Sequence, residues 1–158
     1  MCKPIVIHWF RRDLRLADNP ALNAAVERAR DVDGTLLCLY IHDDHTAGDW
    51  VWGGAHRWWL DKSLKSLDET LQDRGNKLVL RSGEPQTVIE DIMDGQDVAG
   101  VYWNRCYEAF AIKRDKAIKE RLKERGIAVE SCNGSLLNEP WTIETKTGGP
   151  YKVFTPYW

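Results

Sequence analysis

The sequence predicts an α/β fold, in which a five-stranded parallel sheet is doubly wound and covered by helices on both faces. Three observations predict it. Short apolar runs alternate with helix-like segments as far as Cys132. The runs are continuously apolar, as in strands buried on both faces, and lack the in–out alternation of a half-exposed sheet. The first run discharges a charged loop, Arg11-Arg12-Asp13-Leu14-Arg15, directly before a helix start. A strand with such a loop at its carboxyl end is where an open α/β sheet builds a ligand crevice.

Each element has its own justification. Pro4 to Phe10 is a buried strand centred on Ile5, Val6 and Ile7. Asp18 or Asn19 caps a helix that has Pro20 in its first turn and runs to about Arg30. Thr35 to Ile41 is a second buried strand, followed by a loop from His42 to Gly54. Leu60, Leu64, Leu67 and Leu71 recur at helical spacing and mark the core face of a helix over Ala55 to Arg74, with Gly75 as its stop. Lys77 to Arg81 is a third strand, and Ser82-Gly83-Glu84-Pro85 opens a short helix to about Met93. Ala99 to Trp103 is a fourth strand. Glu108 to Arg125 is a charged amphipathic helix stopped by Gly126, and Ile127 to Cys132 is the fifth strand. Periodicity ends there. Residues 1–132 form the α/β domain, and 133–158 read as an extended connector. Crossovers between parallel strands are right-handed.

Composition narrows the functional classes. The chain has 158 residues, one domain's worth, and 43% of them are hydrophobic. Its net charge of -2 carries no basic surplus for nucleic acid. No apolar run reaches the ~18 residues of a membrane span, and Met1-Cys2-Lys3-Pro4 leads straight into a strand, so a cytoplasmic protein without a signal peptide is expected. Cys2, Cys38, Cys106 and Cys132 form no C-x-x-C pair, which favours reduced thiols over zinc or redox chemistry. Eight tryptophans are many for this length and serve as core or interface anchors.

Several motifs have both a structural and a chemical reading. Among Arg11, Arg12, Asp13 and Arg15, one arginine pairs with the aspartate, or one holds an anionic ligand or a neighbouring domain, since the planar guanidinium suits either. Asn104 either caps the next helix or hydrogen-bonds a heterocycle, and Glu108 is favoured at that helix N-terminus without any function. His42-Asp43-Asp44-His45 offers metal-binding types, but the residues are contiguous and lack further ligands, so a solvated loop is expected. His8, on an apolar strand, is a core histidine. Ser82-Gly83-Glu84-Pro85 has one glycine and neither the Walker nor the dinucleotide spacing.

The run from Ile7-His8-Trp9-Phe10-Arg11-Arg12-Asp13-Leu14-Arg15 to Asp18-Asn19-Pro20, then Trp103-Asn104-Arg105-Cys106-Tyr107-Glu108, Lys113-Arg114-Asp115 and the tail Gly149 to Trp158 resemble the DNA photolyase/cryptochrome family in the same order. The resemblance implies a Rossmann-like strand order of 3-2-1-4-5, with the switch point between strands 1 and 4. It implies the N-terminal α/β domain of a deoxyribodipyrimidine photolyase, a lyase that splits cyclobutane pyrimidine dimers with light, or alternatively of a cryptochrome photoreceptor. FAD and the damaged-DNA groove would belong to a helical domain reached through 133–158. The chain itself would be catalytically inactive and would self-associate through an exposed tail. Such domains hold or border an antenna chromophore, either a reduced folate (methenyltetrahydrofolate) or a flavin-like ring. The candidate contacts are Trp9, Phe10, Arg11, Arg12, Asn104 and Glu108, in the crevice between the loops after strands 1 and 4. Ala109-Phe110-Ala111 stands where folate-binding members place polar residues, so the isolated domain is expected to be empty and to bind folate weakly. A free-standing nucleotide-binding α/β module is the remaining reading, but it would need a phosphate loop.

Overall fold

A computed structural model describes residues 3–44, 46, 48, 51–145, 147–149 and 151–155. The elements run β1 Ile5–Phe10, α1 Pro20–Asp31, β2 Thr35–His42, α2 Gly54–Gln72, β3 Leu78–Ser82, α3 Pro85–Gly95, β4 Val98–Asn104, α4 Ala109–Glu124 and β5 Ala128–Cys132. The strands form one parallel sheet of order β3-β2-β1-β4-β5. β1 therefore lies at its centre, with Ile7 level with Leu37 on one side and Val101 on the other. Both the sheet and its order agree with expectation, and element ends differ by one or two residues.

Strand alternation sorts the core into two layers. Ile7, Trp9, Leu39, Ile41, Val101 and Trp103 face α3 and α4, where they meet Val88, Ile89, Ile118 and Leu122. Val6, Phe10, Cys38, Tyr40 and Tyr102 face the other way, against Ala25 of α1 and Leu60, Leu67 and Leu71 of α2. Full burial of each large side chain contributes about 1.5–3 kcal/mol, which drives both faces to be covered. The helix stops follow sequence chemistry: Gly75 and Gly126 take φ of 75° and 72°, a left-handed conformation that glycine adopts without strain. Asn19 is the N-cap of α1, and its Oδ1 accepts from the Leu22 amide at 3.1 Å.

The connector is bound to the sheet edge. Arg105, just past β4, donates to Glu139 and to the Ser131 carbonyl, and the Tyr107 hydroxyl donates to the other Glu139 oxygen at 2.9 Å. The Arg105 guanidinium also lies 5.5 Å from the Trp141 ring centroid. Further on, Trp141, Val153 and Phe154 are more than half exposed. Tyr157 and Trp158, the rest of the expected apolar tail, lie outside the described residues.

Candidate functional site

The carboxyl edge of β1 builds an ionic cluster from one strand alternation and one helix face. Arg11 continues the odd-numbered register of Ile7 and Trp9, so its side chain turns beneath α4. There its Nη1 donates to Asp115 Oδ2 at 2.7 Å, and its Nη2 donates to the Asn104 carbonyl. Asp115 falls in the buried stripe Ala111, Asp115, Ile118, Leu122 of α4. It also accepts from Arg114 at 2.9 Å and from the Trp103 indole N–H at 3.1 Å. Arg114 reaches on to Asp43 at 3.4 Å. The side chains of Arg11, Asp115 and Arg114 are only 6, 11 and 12% exposed, so the charges are compensated inside the protein rather than by water.

Trp9 is held within this cluster. The guanidinium carbons of Arg11 and Arg114 lie 4.9 and 5.0 Å from its ring centroid, and Trp103 meets it edge-on at 5.8 Å. Among the described residues, its buried indole Nε1 has no hydrogen-bond partner. An unpaired buried donor costs about 1–3 kcal/mol unless something accepts from it.

Above Trp9 opens a crevice of about 600 Å³, solvent mouth included, with Tyr40, Trp52, Phe110, Arg12 and Glu108 among its walls. Arg12 and Glu108 form an ion pair at the rim. The Tyr40 hydroxyl is pushed up to about 12 by burial and the nearby Asp44 and Asp43 carboxylates, so it stays a neutral phenol able to donate. Burial also raises the Cys106 thiol, so it lines the crevice as an unreactive group. Flat walls bordered by arginines suit an aromatic heterocycle that bears acceptor atoms. An uncharged hydrocarbon would leave the Trp9 N–H unanswered.

The switch point between β1 and β4 carries a polar network. Asn104 donates through Nδ2 to Asp13 and to Asn19 Oδ1 (2.7 Å), and its Oδ1 accepts from the Ala21 amide at 3.2 Å. Gly134 crosses directly over it, and a Cβ there would stand 2.6 Å from Asn104 Cγ. Arg15 donates to the Gly134 carbonyl at 2.7 Å. A crevice also opens at this expected location, lined by Arg12, Asp13, Arg15, Asn104, Glu108 and Gly134, while the crevice above Trp9 opens at the carboxyl ends of β1 and β2. Of the residues read from sequence, Trp9, Arg11, Arg12 and Glu108 line it together. Asn104 lies beside it within the network, and Phe10 is buried on the opposite face of the sheet.

Sequence reading missed Tyr40, Trp52 and Arg114 as crevice residues, and Asp115 as the partner behind them. A usable signal existed for one pair: a carboxylate at position 115, inside an apolar helical stripe, demands a buried cation. In the His42-Asp43-Asp44-His45 run, His42 and Arg57 both pair with Asp44, at 3.1 and 3.2 Å. His45 lies outside the described residues, and among those described no cluster of ligand types could hold a metal ion. No helix among the described residues is long and apolar enough to cross a membrane.

Comparison with known proteins places these features in a family. Residues 6–158 match the family described as DNA photolyase. A deoxyribodipyrimidine photo-lyase of Agrobacterium fabrum is 44% identical over 97% of this chain, which covers 30% of that protein. Cryptochrome-2 of Arabidopsis thaliana is 40% identical over 96% of the chain and 24% of its own length. The crystal structure of a bacterial class III photolyase from Agrobacterium tumefaciens superposes with a TM-score of 0.84 at 40% identity, covering 99% of this chain and 31% of that one. An archaeal photolyase from Sulfolobus tokodaii, described with two FAD molecules and the implication of a novel light-harvesting cofactor, gives 0.69 at 26% identity over 89% of this chain and 32% of its own. The chain thus spans about a third of the length of the relatives it matches.

Proposed function

The chain belongs to the DNA photolyase family, and from that premise we propose that it is the N-terminal α/β domain of a light-driven DNA repair enzyme whose crevice above Trp9 holds the antenna chromophore. One observation carries the assignment. A crevice complete within this chain combines flat walls (Trp9, Tyr40, Trp52, Phe110) with an unanswered buried indole N–H and three arginines, Arg11, Arg12 and Arg114. That donor set fits a flavin-like ring better than a folate. Phe110 and Ala111 add no polar side chain, and flavin ring acceptors answer N–H donors. The neighbour described with a second FAD is in keeping with a flavin in this role.

When bound, the chromophore supplies light absorption. The residues of this chain have the other tasks. Trp9 and Trp52 enclose the ring, Tyr40 and Trp9 Nε1 donate to its acceptors, and the Arg12–Glu108 pair shields the mouth from solvent. The catalytic FAD, the DNA groove and dimer splitting belong to a helical domain beyond the connector, with damaged DNA as partner. Titration of the chain with flavin mononucleotide and with methenyltetrahydrofolate tests the crevice. Flavin binding in the low micromolar range or tighter is expected, with Trp9→Ala weakening it by about tenfold or more. Tight folate binding without flavin binding would overturn the assignment. Because a cryptochrome is 40% identical, a photoreceptor is the second reading. Light-dependent reversal of pyrimidine dimers by the full-length protein separates the two.

A further inference from the structure

The cluster around Trp9 sets two cations against a single buried indole, next to the site assigned to a light-absorbing ring. We propose that Arg11 and Arg114 protect the excited chromophore from electron-transfer quenching by raising the energy needed to oxidise Trp9. This inference rests on the crevice being the chromophore site.

The chemistry is simple to balance. An excited ring touching an indole can take one electron from it, leaving an indole radical cation and a one-electron-reduced ring. The electron then returns with loss of the excitation, and no atom is gained or lost. Trp103, edge-on at 5.8 Å, would draw the positive hole deeper and outcompete productive energy transfer.

The structure opposes the first step. Both guanidinium carbons lie within 5.0 Å of the Trp9 ring centroid. A positive charge created on the ring is repelled by each, and weak screening in a buried site strengthens the effect. The compensating carboxylates, Asp115 and Asp43, are bonded to the guanidinium groups themselves. Asp115 accepts from the Trp103 indole, and Asp43 lies beyond Arg114. Trp9 Nε1, in contrast, has no acceptor among the described residues to receive a proton from an oxidised ring. Both guanidinium groups lie against the ring of the indole that lines the crevice, and Lys119 Nζ lies 5.8 Å from the Trp103 ring. The two arginines are positioning residues: they act on the chromophore's lifetime through Trp9.

The test is the fluorescence lifetime of flavin mononucleotide bound to the chain. Arg114→Gln is expected to shorten it by about threefold or more, because one cation is lost while both carboxylates remain. Arg114→Lys, which keeps the charge, should stay near the original value. The double variant Arg114→Gln/Trp9→Phe should restore a long lifetime, because phenylalanine is a far poorer electron donor, and a merely loosened site would not recover in this way. An unchanged lifetime in Arg114→Gln, or equal shortening in the double variant, overturns the inference while the chromophore site stands. Failure of flavin to bind the unsubstituted chain overturns both.

Discussion

Two residues carry costs that can be measured directly. Asp115 compensates two buried guanidinium groups and an indole N–H. Asp115→Ala leaves Arg11 without a carboxylate and Arg114 with Asp43 alone, and is expected to destabilise the chain by about 3–5 kcal/mol in urea unfolding. A loss under ~1 kcal/mol would mean that water compensates those charges after all. His8 is fully buried against Phe10. Desolvation lowers it from 6.5 to about 4. The unfolded chain therefore takes up a proton at a pH where the folded chain refuses it. This stability is fully present above pH 6.5 and is lost as pH falls towards 4, amounting to roughly 3 kcal/mol. Unfolding midpoints of the unsubstituted chain should fall between pH ~7 and ~5, above most carboxylate titrations, while those of His8→Leu stay nearly flat.

At the scale of elements, the joints between β1, α1, β4 and the connector converge on Asn104. Its amide joins the Asp13 loop, the N-cap Asn19 and the α1 backbone, and Gly134 packs onto it. Asn104→Ala should cost about 1–3 kcal/mol by orphaning buried partners, yet change flavin affinity in the folded protein by less than about twofold. Affinity lost with unchanged stability would show that Asn104 contacts the ring. Gly134→Ala should displace the connector, because the new Cβ has no space over Asn104. The Arg105–Glu139–Tyr107 contacts would loosen with it. Faster proteolysis between 134 and 142, with the sheet still folded, is the expected readout.

For the whole molecule, the exposed aromatic surface is the leading feature. Trp141, Val153 and Phe154 are 59, 62 and 70% exposed at one end of the chain. Exposed apolar side chains of this size are candidates for an interaction surface. Sedimentation of the chain alone should show concentration-dependent association, reduced by Val153→Ser/Phe154→Ser. A strictly monomeric species at high concentration would reject that surface as adhesive. In the proposed assembly the same surface meets the helical domain, so the double substitution should also weaken docking of a separately produced helical half.

The fold could be read from the chain because it depends on local periodicities. Apolar runs such as Ile5-Val6-Ile7, the stripe Leu60, Leu67, Leu71, and the stops Gly75 and Gly126 each specify an element through their immediate neighbours. The same reading named Trp9, Arg11, Arg12 and Glu108, which line one crevice, because a charged loop at the carboxyl end of a buried strand faces the sheet edge where crevices open. Partner choice was decided only by the tertiary structure. Arg11 meets Asp115 across 104 positions, Asn104 meets Asp13 across 91, and Arg114 meets Asp43 across 71. No local pattern distinguishes a carboxylate that pairs with such a cation from one that faces water. The sequence also could not say that Gly134 of the connector would pack onto Asn104 beside the switch point. That depends on where the connector returns across the sheet edge, and long-range packing alone sets its path.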